Sequence, residues 1–319
     1  MKKILVMGAA GQIGSELVPY LRNIYGDSNV IASDIRTEIP EILQGGPYEI
    51  IDGLDAKKIS EVVKNNEIDT VYNLIALLSA VGEQKPQLSW KINIGSLMNL
   101  LEISRELKFA LFTPSSIGAF GPTTPHDNTP QDTIMRPTSI YGVTKVTGEL
   151  LCDYYHLKYG IDTRGVRFPG IISNVTPPGG GTTDYAVDIY YKAIQQKKFT
   201  CNLKAGTYLD MMYMPDALRA ATEIMEADSS KFIHRNAFNV AAMSFEPEMI
   251  AAEIRKHIPE FIMDYEIDEV RQAIADSWPN KMDDSAAREE WGWKHEFDLP
   301  AMTEDMLNVL SKKLMTEEN

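Results

Sequence analysis

Ile4-Leu5-Val6-Met7-Gly8-Ala9-Ala10-Gly11-Gln12-Ile13-Gly14 decides how the rest of the chain is read. Four apolar residues in a row suit a strand buried on both faces. Glycines at 8, 11 and 14 then form a turn. Ile13, Leu17, Leu21 and Ile24 recur at the spacing of one helix face, which predicts a helix over 12–25. Outward from this unit the pattern repeats. Strands are expected at Val30–Ser33, Glu49–Ile51, Thr70–Leu74, Phe109–Thr113 and Thr163–Phe168. Helices are expected at Ala56–Asn66, Ile94–Leu107 and Tyr141–Tyr159. Strands alternating with helices imply a parallel, doubly wound sheet of the Rossmann type.

After residue 170 the pattern changes. A Pro- and Gly-rich run, Pro177-Pro178-Gly179-Gly180-Gly181, leads to expected helices at Tyr185–Gln196 and Pro215–Ala227 and short strands near Thr207–Met212 and Phe238–Val240. Residues 1–170 are therefore read as a nucleotide-binding domain. Residues 171–319 are read as a smaller, mainly substrate-binding part, discontinuous, with some segments returning to the first domain.

The 319 residues carry a net charge of −14, which excludes nucleic acid as the expected partner, since phosphate binding needs clustered Lys and Arg. Cys152 and Cys201 are too few for a disulfide framework and are read as reduced thiols. The apolar run at the N-terminus is too short for a signal peptide, and Val71 to Val81, broken by Asn73 and Ser79, is too short to span a bilayer. The expected location is cytoplasmic. The five histidines are scattered without ligand spacing, so no metal is expected.

The glycine turn suits a pyrophosphate. Unpaired N–H groups and the positive end of the first helix would face it, and a Cβ at these positions would block its approach. Asp34 ends the second expected strand about 20 residues past Gly14, where a carboxylate accepts hydrogen bonds from the adenosine ribose and repels a 2′-phosphate. This favours NAD. Arg36 is the kind of residue that also holds a 2′-phosphate, so NADP stays open as the alternative.

Tyr141 and Lys145 share one helix face. A free phenol, with a pKa of about 10, is a poor base near neutrality; an adjacent ammonium favours the phenolate. The strand at 109–113 runs into Pro114-Ser115-Ser116, and ligands bind at the carboxyl ends of such strands. One of the two serines is expected to hold a substrate hydroxyl while Tyr141 takes its proton; the other is expected to serve the turn.

Gly8–Gly14, Ser116, Tyr141 and Lys145 resemble the extended short-chain dehydrogenases, relatives of UDP-galactose 4-epimerase. Within that group the chain resembles the short-chain L-threonine 3-dehydrogenase family over nearly its whole length. The specific stretches are Leu77–Glu83, Pro114–Pro122, Arg136–Lys145, Arg167–Gly170, Pro178–Tyr185 and Asp276–Pro279. The resemblance implies oxidation of the L-threonine β-hydroxyl to 2-amino-3-oxobutyrate by NAD. Tyr141 would be the base, Ser116 would position the hydroxyl, and Lys145 would tune Tyr141 and bind ribose. It implies a homodimer through a four-helix interface including the Tyr141–Tyr159 helix. It extends the cofactor-lining set of Gly8, Gly11, Gln12, Ile13, Gly14, Asp34 and Arg36 to Ile35, Asp52, Leu74, Ala76, Asn93 and Phe168. Two positions depart from the family pattern: Asp210 stands where proline is usual, which puts the local strand in doubt, and position 116 is Ser where Thr also occurs.

Sugar-nucleotide relatives use an Arg at the position of Leu209 and a second, later Arg where Ser277-Trp278-Pro279 stands here. Losing both removes the forks that grip a diphosphate. An amino-acid carboxylate would instead meet N–H and hydroxyl donors of Gly179–Gly181, Thr182 and Thr183, with Ser79 adding a hydroxyl and Trp278 closing over the substrate. The bland alternative is a flexible loop with capping threonines and a packed Trp. A sugar-nucleotide epimerase or dehydratase and a redox-sensing NAD-binding protein remain the competing functions; sensors of that kind often lack the Tyr or the Lys.

Overall fold

A computed structural model describes residues 1–177 and 181–317. The chain runs β1 (Ile4–Met7), α1 (Gln12–Tyr25), β2 (Val30–Asp34), β3 (Tyr48–Ile50), α2 (Ala56–Asn65), β4 (Thr70–Asn73), α3 (Ser79–Gln84), α4 (Pro86–Leu107), β5 (Ala110–Phe112), β6 (Ser115–Ser116), α5 (Ile140–Tyr159), β7 (Thr163–Arg164), β8 (Val166–Phe168) and β9 (Gly170–Ile172). The central six-stranded sheet has the order β3-β2-β1-β4-β5-β7, and its strand pairs are parallel. The order reverses between β1 and β4, the point at which ligands enter sheets of this kind. All four residues of β1 have no exposed surface, as expected of a strand with helices on both faces.

Two expectations shift. The helix expected from Ile94 begins at Pro86, whose missing N–H falls in the first turn, where it has no helical partner to lose. The single strand expected over 163–168 is two: β7 belongs to the central sheet, while β8 pairs with β6 and β12. Pro114 accounts for the switch. It cannot donate to the ladder, so β5 stops at Phe112 and the chain starts again as β6. β7 and β8 follow that step in register, Phe112 beside Arg164 and Ser115 beside Arg167.

The later segments are α6 (Tyr185–Gln196), β10 (Lys198–Cys201), β11 (Leu209–Tyr213), α7 (Met214–Glu226), β12 (Phe238–Asn239), β13 (Met243–Phe245), α8 (Pro247–His257), β14 (Ile262–Tyr265), α9 (Glu269–Ala275), α10 (Ser285–Trp291) and α11 (Leu299–Glu317). β9 extends into the sheet β13-β11-β9, and β8 into β12-β8-β6. One core joins Leu17 and Leu21 of α1 to Ala217, Ala221 and Ile224 of α7. A second, built on α6, β11, α8 and α11, includes Trp278. No described helix is long and apolar enough to cross a membrane.

The doubt over Asp210 resolves in favour of a regular strand. It sits inside β11, opposite Ser244 of β13, with no exposed surface. Its Oδ2 accepts from the Met282 N–H at 2.8 Å, tying β11 to the segment that follows Trp278. Its Oδ1 has no partner among the described residues, and burial pushes the carboxyl up to about 8. The folded protein therefore keeps a proton that the unfolded chain releases between about pH 4 and the folded value, so stability falls as pH rises across that window and levels off above it. Asp210→Asn should abolish that slope. Thermal melts at pH 5, 7 and 9 should show the variant gaining on the native protein up to about pH 8 and no further; a gap independent of pH would mean that the carboxyl does not titrate there.

Candidate active site

The glycine turn joins β1 to α1. Gly8 has a φ of +77°, a region glycine enters without strain. A Cβ at Gly14 would lie 2.5 Å from the Gly8 carbonyl oxygen and 2.7 Å from Ala9 Cα, so only glycine lets α1 press against the turn. The first turn of α1 carries N–H groups with no helical acceptor. Asp34 ends β2 beside this turn: Oδ2 accepts from the Ala10 N–H at 3.1 Å and Oδ1 from the Arg36 N–H at 3.3 Å. A carboxylate has about four acceptor sites, so capacity remains for ribose hydroxyls. Phosphate cradle and ribose acceptor fit a dinucleotide.

α5 begins with Ser139 capping, its hydroxyl accepting from the Gly142 N–H at 3.1 Å. Gly142 lets the helix meet the turn after β6: a Cβ there would fall 2.2 Å from the Gly118 carbonyl oxygen. Tyr141 and Ser116 are neighbours across Gly118, whose absent Cβ would lie 3.3 Å from the Tyr141 ring and 3.5 Å from Ser116 Oγ. Lys145 Nζ stands 5.4 Å from the Tyr141 ring centroid and donates to the Pro114 carbonyl at 2.7 Å, which leaves two of its three donors. The serines do not split as expected, because the turn contact falls to Ser116 and the other hydroxyl is taken by a helix carboxylate. Ser115 is buried and donates to Glu149, whereas Ser116 is partly exposed and its Oγ also receives the Gly118 N–H.

The glycine turn, Ser115, Ser116, Tyr141 and Lys145 line one open cleft. Of the residues singled out in the sequence, Gly8, Gly11, Gln12, Ile13, Gly14, Leu74, Ala76 and Phe168 line its cofactor side, and Ser116, Tyr141 and Lys145 its floor. Ser79, Gly181, Thr182, Thr183 and Trp278 line its far wall. Gly179 and Gly180, with Pro178, lie outside the described residues. Asp34, exposed Ile35 and Arg36, and exposed Asp52 stand apart at the strand ends, and Asp52 caps the turn at Leu54. Asn93 lies in an adjoining recess: its side chain clasps both backbone groups of Leu77 and donates to Thr144 of α5.

The far wall differs from expectation in one respect. The Gly181 N–H, expected to serve a substrate carboxylate, donates to Asp184 Oδ2 at 2.7 Å. Asp184 precedes α6 and lines the cleft. Asp188, one turn later, has its carboxyl raised by burial and by Asp184, while Lys192 and Arg271 act against that rise, and Arg271 donates to the Gly181 carbonyl at 3.1 Å. Sequence reading passed over Asp184, although an Asp directly before a helical run is an ordinary cap signal. It also passed over the short helix α3, whose first residue is Ser79. No arginine lines the cleft among the described residues, and Leu209 is sealed in the core.

A parallel sheet with a glycine phosphate turn at its switch point and a Ser-Tyr-Lys set at its carboxyl edge defines a dinucleotide-dependent oxidoreductase of the extended short-chain type. The model of the NAD dependent epimerase/dehydratase family matches residues 4–241, and the chain belongs to that family, with NAD as its cofactor. An uncharacterised epimerase/dehydratase of Staphylococcus saprophyticus is 54% identical over 318 residues, 99% of each chain. Among solved structures, an L-threonine dehydrogenase from Clostridium difficile is 57% identical, with a TM-score of 0.97 over 98% of each chain. The holo form of a GalE-like L-threonine dehydrogenase from Cupriavidus necator is 50% identical, with a TM-score of 0.94 over 97% of this chain and 99% of that one.

Gly14→Ala tests the turn. Overpacking costs about 1–3 kcal/mol, and here it falls on the phosphate cradle, so NAD affinity, followed by protein fluorescence, should drop at least about tenfold while the far-UV circular dichroism stays native. Unchanged affinity would remove the turn from the binding site.

Proposed function

We propose that this protein oxidises the β-hydroxyl of L-threonine to 2-amino-3-oxobutyrate with NAD. One observation carries the reading: the cleft that holds Ser116, Tyr141 and Lys145 is closed by hydroxyl groups, an acidic helix head and an indole, and no described lining residue offers a guanidinium for a diphosphate. Bound NAD supplies the hydride acceptor. Ser116 Oγ holds the substrate hydroxyl, and the Tyr141 phenolic oxygen takes its proton. Lys145 stands beside the Tyr141 ring and offers its remaining donors to the ribose. Ser79, Thr182 and Thr183 hold the carboxylate through their hydroxyls. Asp184 favours the ammonium, which revises the expectation of a carboxylate at the head of α6. Trp278, buried and packed in the core, forms a fixed wall. The identities with two L-threonine dehydrogenases add support.

The same reading includes a homodimer. Val143, Leu150, Tyr154 and Leu157 are exposed along one face of α5, at steps of seven, four and three residues, and Leu157 keeps 84% of its surface. A stripe of that kind suits a helix-on-helix contact between two copies.

The decisive assay follows NADH absorbance with L-threonine, L-serine, D-threonine and a UDP-sugar in parallel. L-Threonine should exceed the others. Turnover of a UDP-sugar with NAD retained, and none with L-threonine, would replace the reading with epimerisation. Tyr141→Phe should bind NAD as the native protein does and lose about 10²–10⁴-fold in kcat, the range for a general base; full activity would exclude Tyr141. Leu157→Glu should sediment as a monomer if α5 forms the contact, and an unchanged sedimentation coefficient would place any contact elsewhere.

A further inference from the structure

We infer that Glu149 is a positioning residue for Ser116, acting through the Ser115 hydroxyl; the inference rests on the Ser116–Tyr141–Lys145 reading. Glu149 lies on α5, one turn beyond Lys145 and two beyond Tyr141, on the same face. Its Oε1 accepts from Ser115 Oγ and, at 3.0 Å, from Arg167 Nε, while Oε2 accepts from Arg167 Nη2 at 2.8 Å. Carboxylate and guanidinium are only 5% and 6% exposed. Arg167 lies in β8 directly beside Ser115 of β6. Helix and two strands thus close a triangle around one buried charge pair.

That triangle fixes the one degree of freedom the chemistry needs held. β6 is two residues long and gains little rigidity from its own pairing. It is pinned to α5 on two successive turns, by Lys145 to the Pro114 carbonyl and by Glu149 to the Ser115 hydroxyl. The next residue is Ser116. Its hydroxyl must stay in register with the Tyr141 phenol, which α5 carries. Arg167 extends the hold to the opposite wall. Its Nη1 donates to Asn239 Oδ1, and Asn239 Nδ2 donates to the carbonyls of Thr129 and Asp283, in the segment following Trp278.

A buried ion pair is commonly replaceable by apolar side chains without loss of stability. Arg167 also serves the Gln131 carbonyl and Asn239, and the Ser115 hydroxyl is what ties this pair to the strand carrying Ser116. Misplacement of a reacting group by about 1 Å can cost about 10²-fold in rate.

Ser115→Ala removes the link and leaves the ion pair in place. NAD affinity should stay within about twofold of native, and kcat with L-threonine should fall about 10–100-fold with KM little changed. Ser115→Thr, which keeps the hydroxyl, should recover most of the loss. The doubly apolar E149L/R167M should reproduce the kcat defect, with a lowered Tm because Asn239 and the Gln131 carbonyl also lose their donor. A purely structural role would lower Tm without this kcat-specific loss and rescue. Native kcat in Ser115→Ala overturns the inference, whether or not the double variant folds. Should the native chain itself leave L-threonine untouched, the substrate reading fails and amide exchange in NAD-bound protein decides: residues 116–120 should exchange faster in Ser115→Ala, and native exchange there overturns the inference.

Discussion

The close approach of α5 to the turn after β6 is the contact on which this site depends. Gly142 against the Gly118 carbonyl leaves no room for a side chain, so the helix start and the strand end are fixed relative to each other by backbone contact. On the proposed reading the reacting groups are carried by those two pieces, Tyr141 and Lys145 by the helix and Ser116 by the strand. Above the same edge of the sheet stands the glycine turn, whose own close contact, Gly14 on Ala9, places α1 and its unpaired N–H groups. Two glycine-dependent approaches thus set the cofactor side and the chemical side of one cleft. The six parallel strands between them provide the common frame.

The sequence made much of this frame legible, for a physical reason. Buried parallel strands must be continuously apolar, and helices on their faces must be amphipathic, so periodicity separates the two over 1–170. The glycine turn and the Tyr141–Lys145 pair are local patterns, while Asp34 reaches the turn through the pairing of β2 with β1. What stayed hidden were features set by distant segments. The break between β7 and β8 follows from Pro114, fifty residues earlier in the chain, forcing the partner strand to step aside. Asn93 resembles a cofactor ligand in sequence, yet its amide is taken up in bracing Leu77 and Thr144.

The division of labour between Ser115 and Ser116 shows the same limit. Both are hydroxyls at a strand end, and composition cannot separate them. The difference is made by Glu149 and Arg167, which come from α5 and β8 and take the first hydroxyl out of circulation. Both serines border the cleft, but Ser115 is buried on Glu149 while Ser116 keeps part of its surface open. Helices α8, α9 and α11 escaped the sequence reading for another reason: they pack into a core shared by many short elements, where no helix needs a long apolar stripe of its own.

The far wall is where this fold can change substrate while keeping its chemistry. A nucleoside diphosphate needs fixed positive forks, and a charge-assisted pair is lost when a guanidinium becomes Leu209, which here fills the core. A zwitterion needs both signs at short range, with hydroxyl and N–H donors on one side and an acceptor on the other. On the proposed reading Thr182, Thr183 and Ser79, which line the cleft, supply donors, and Asp184 at the head of α6 supplies the acceptor. A helix start ordinarily favours an anion. Asp184 precedes that start without a side-chain capping bond to α6, and its carboxylate takes the Gly181 N–H instead. On the proposed reading, the aspartate that consumes the Gly181 N–H also tells a β-hydroxy amino acid from a simple β-hydroxy acid.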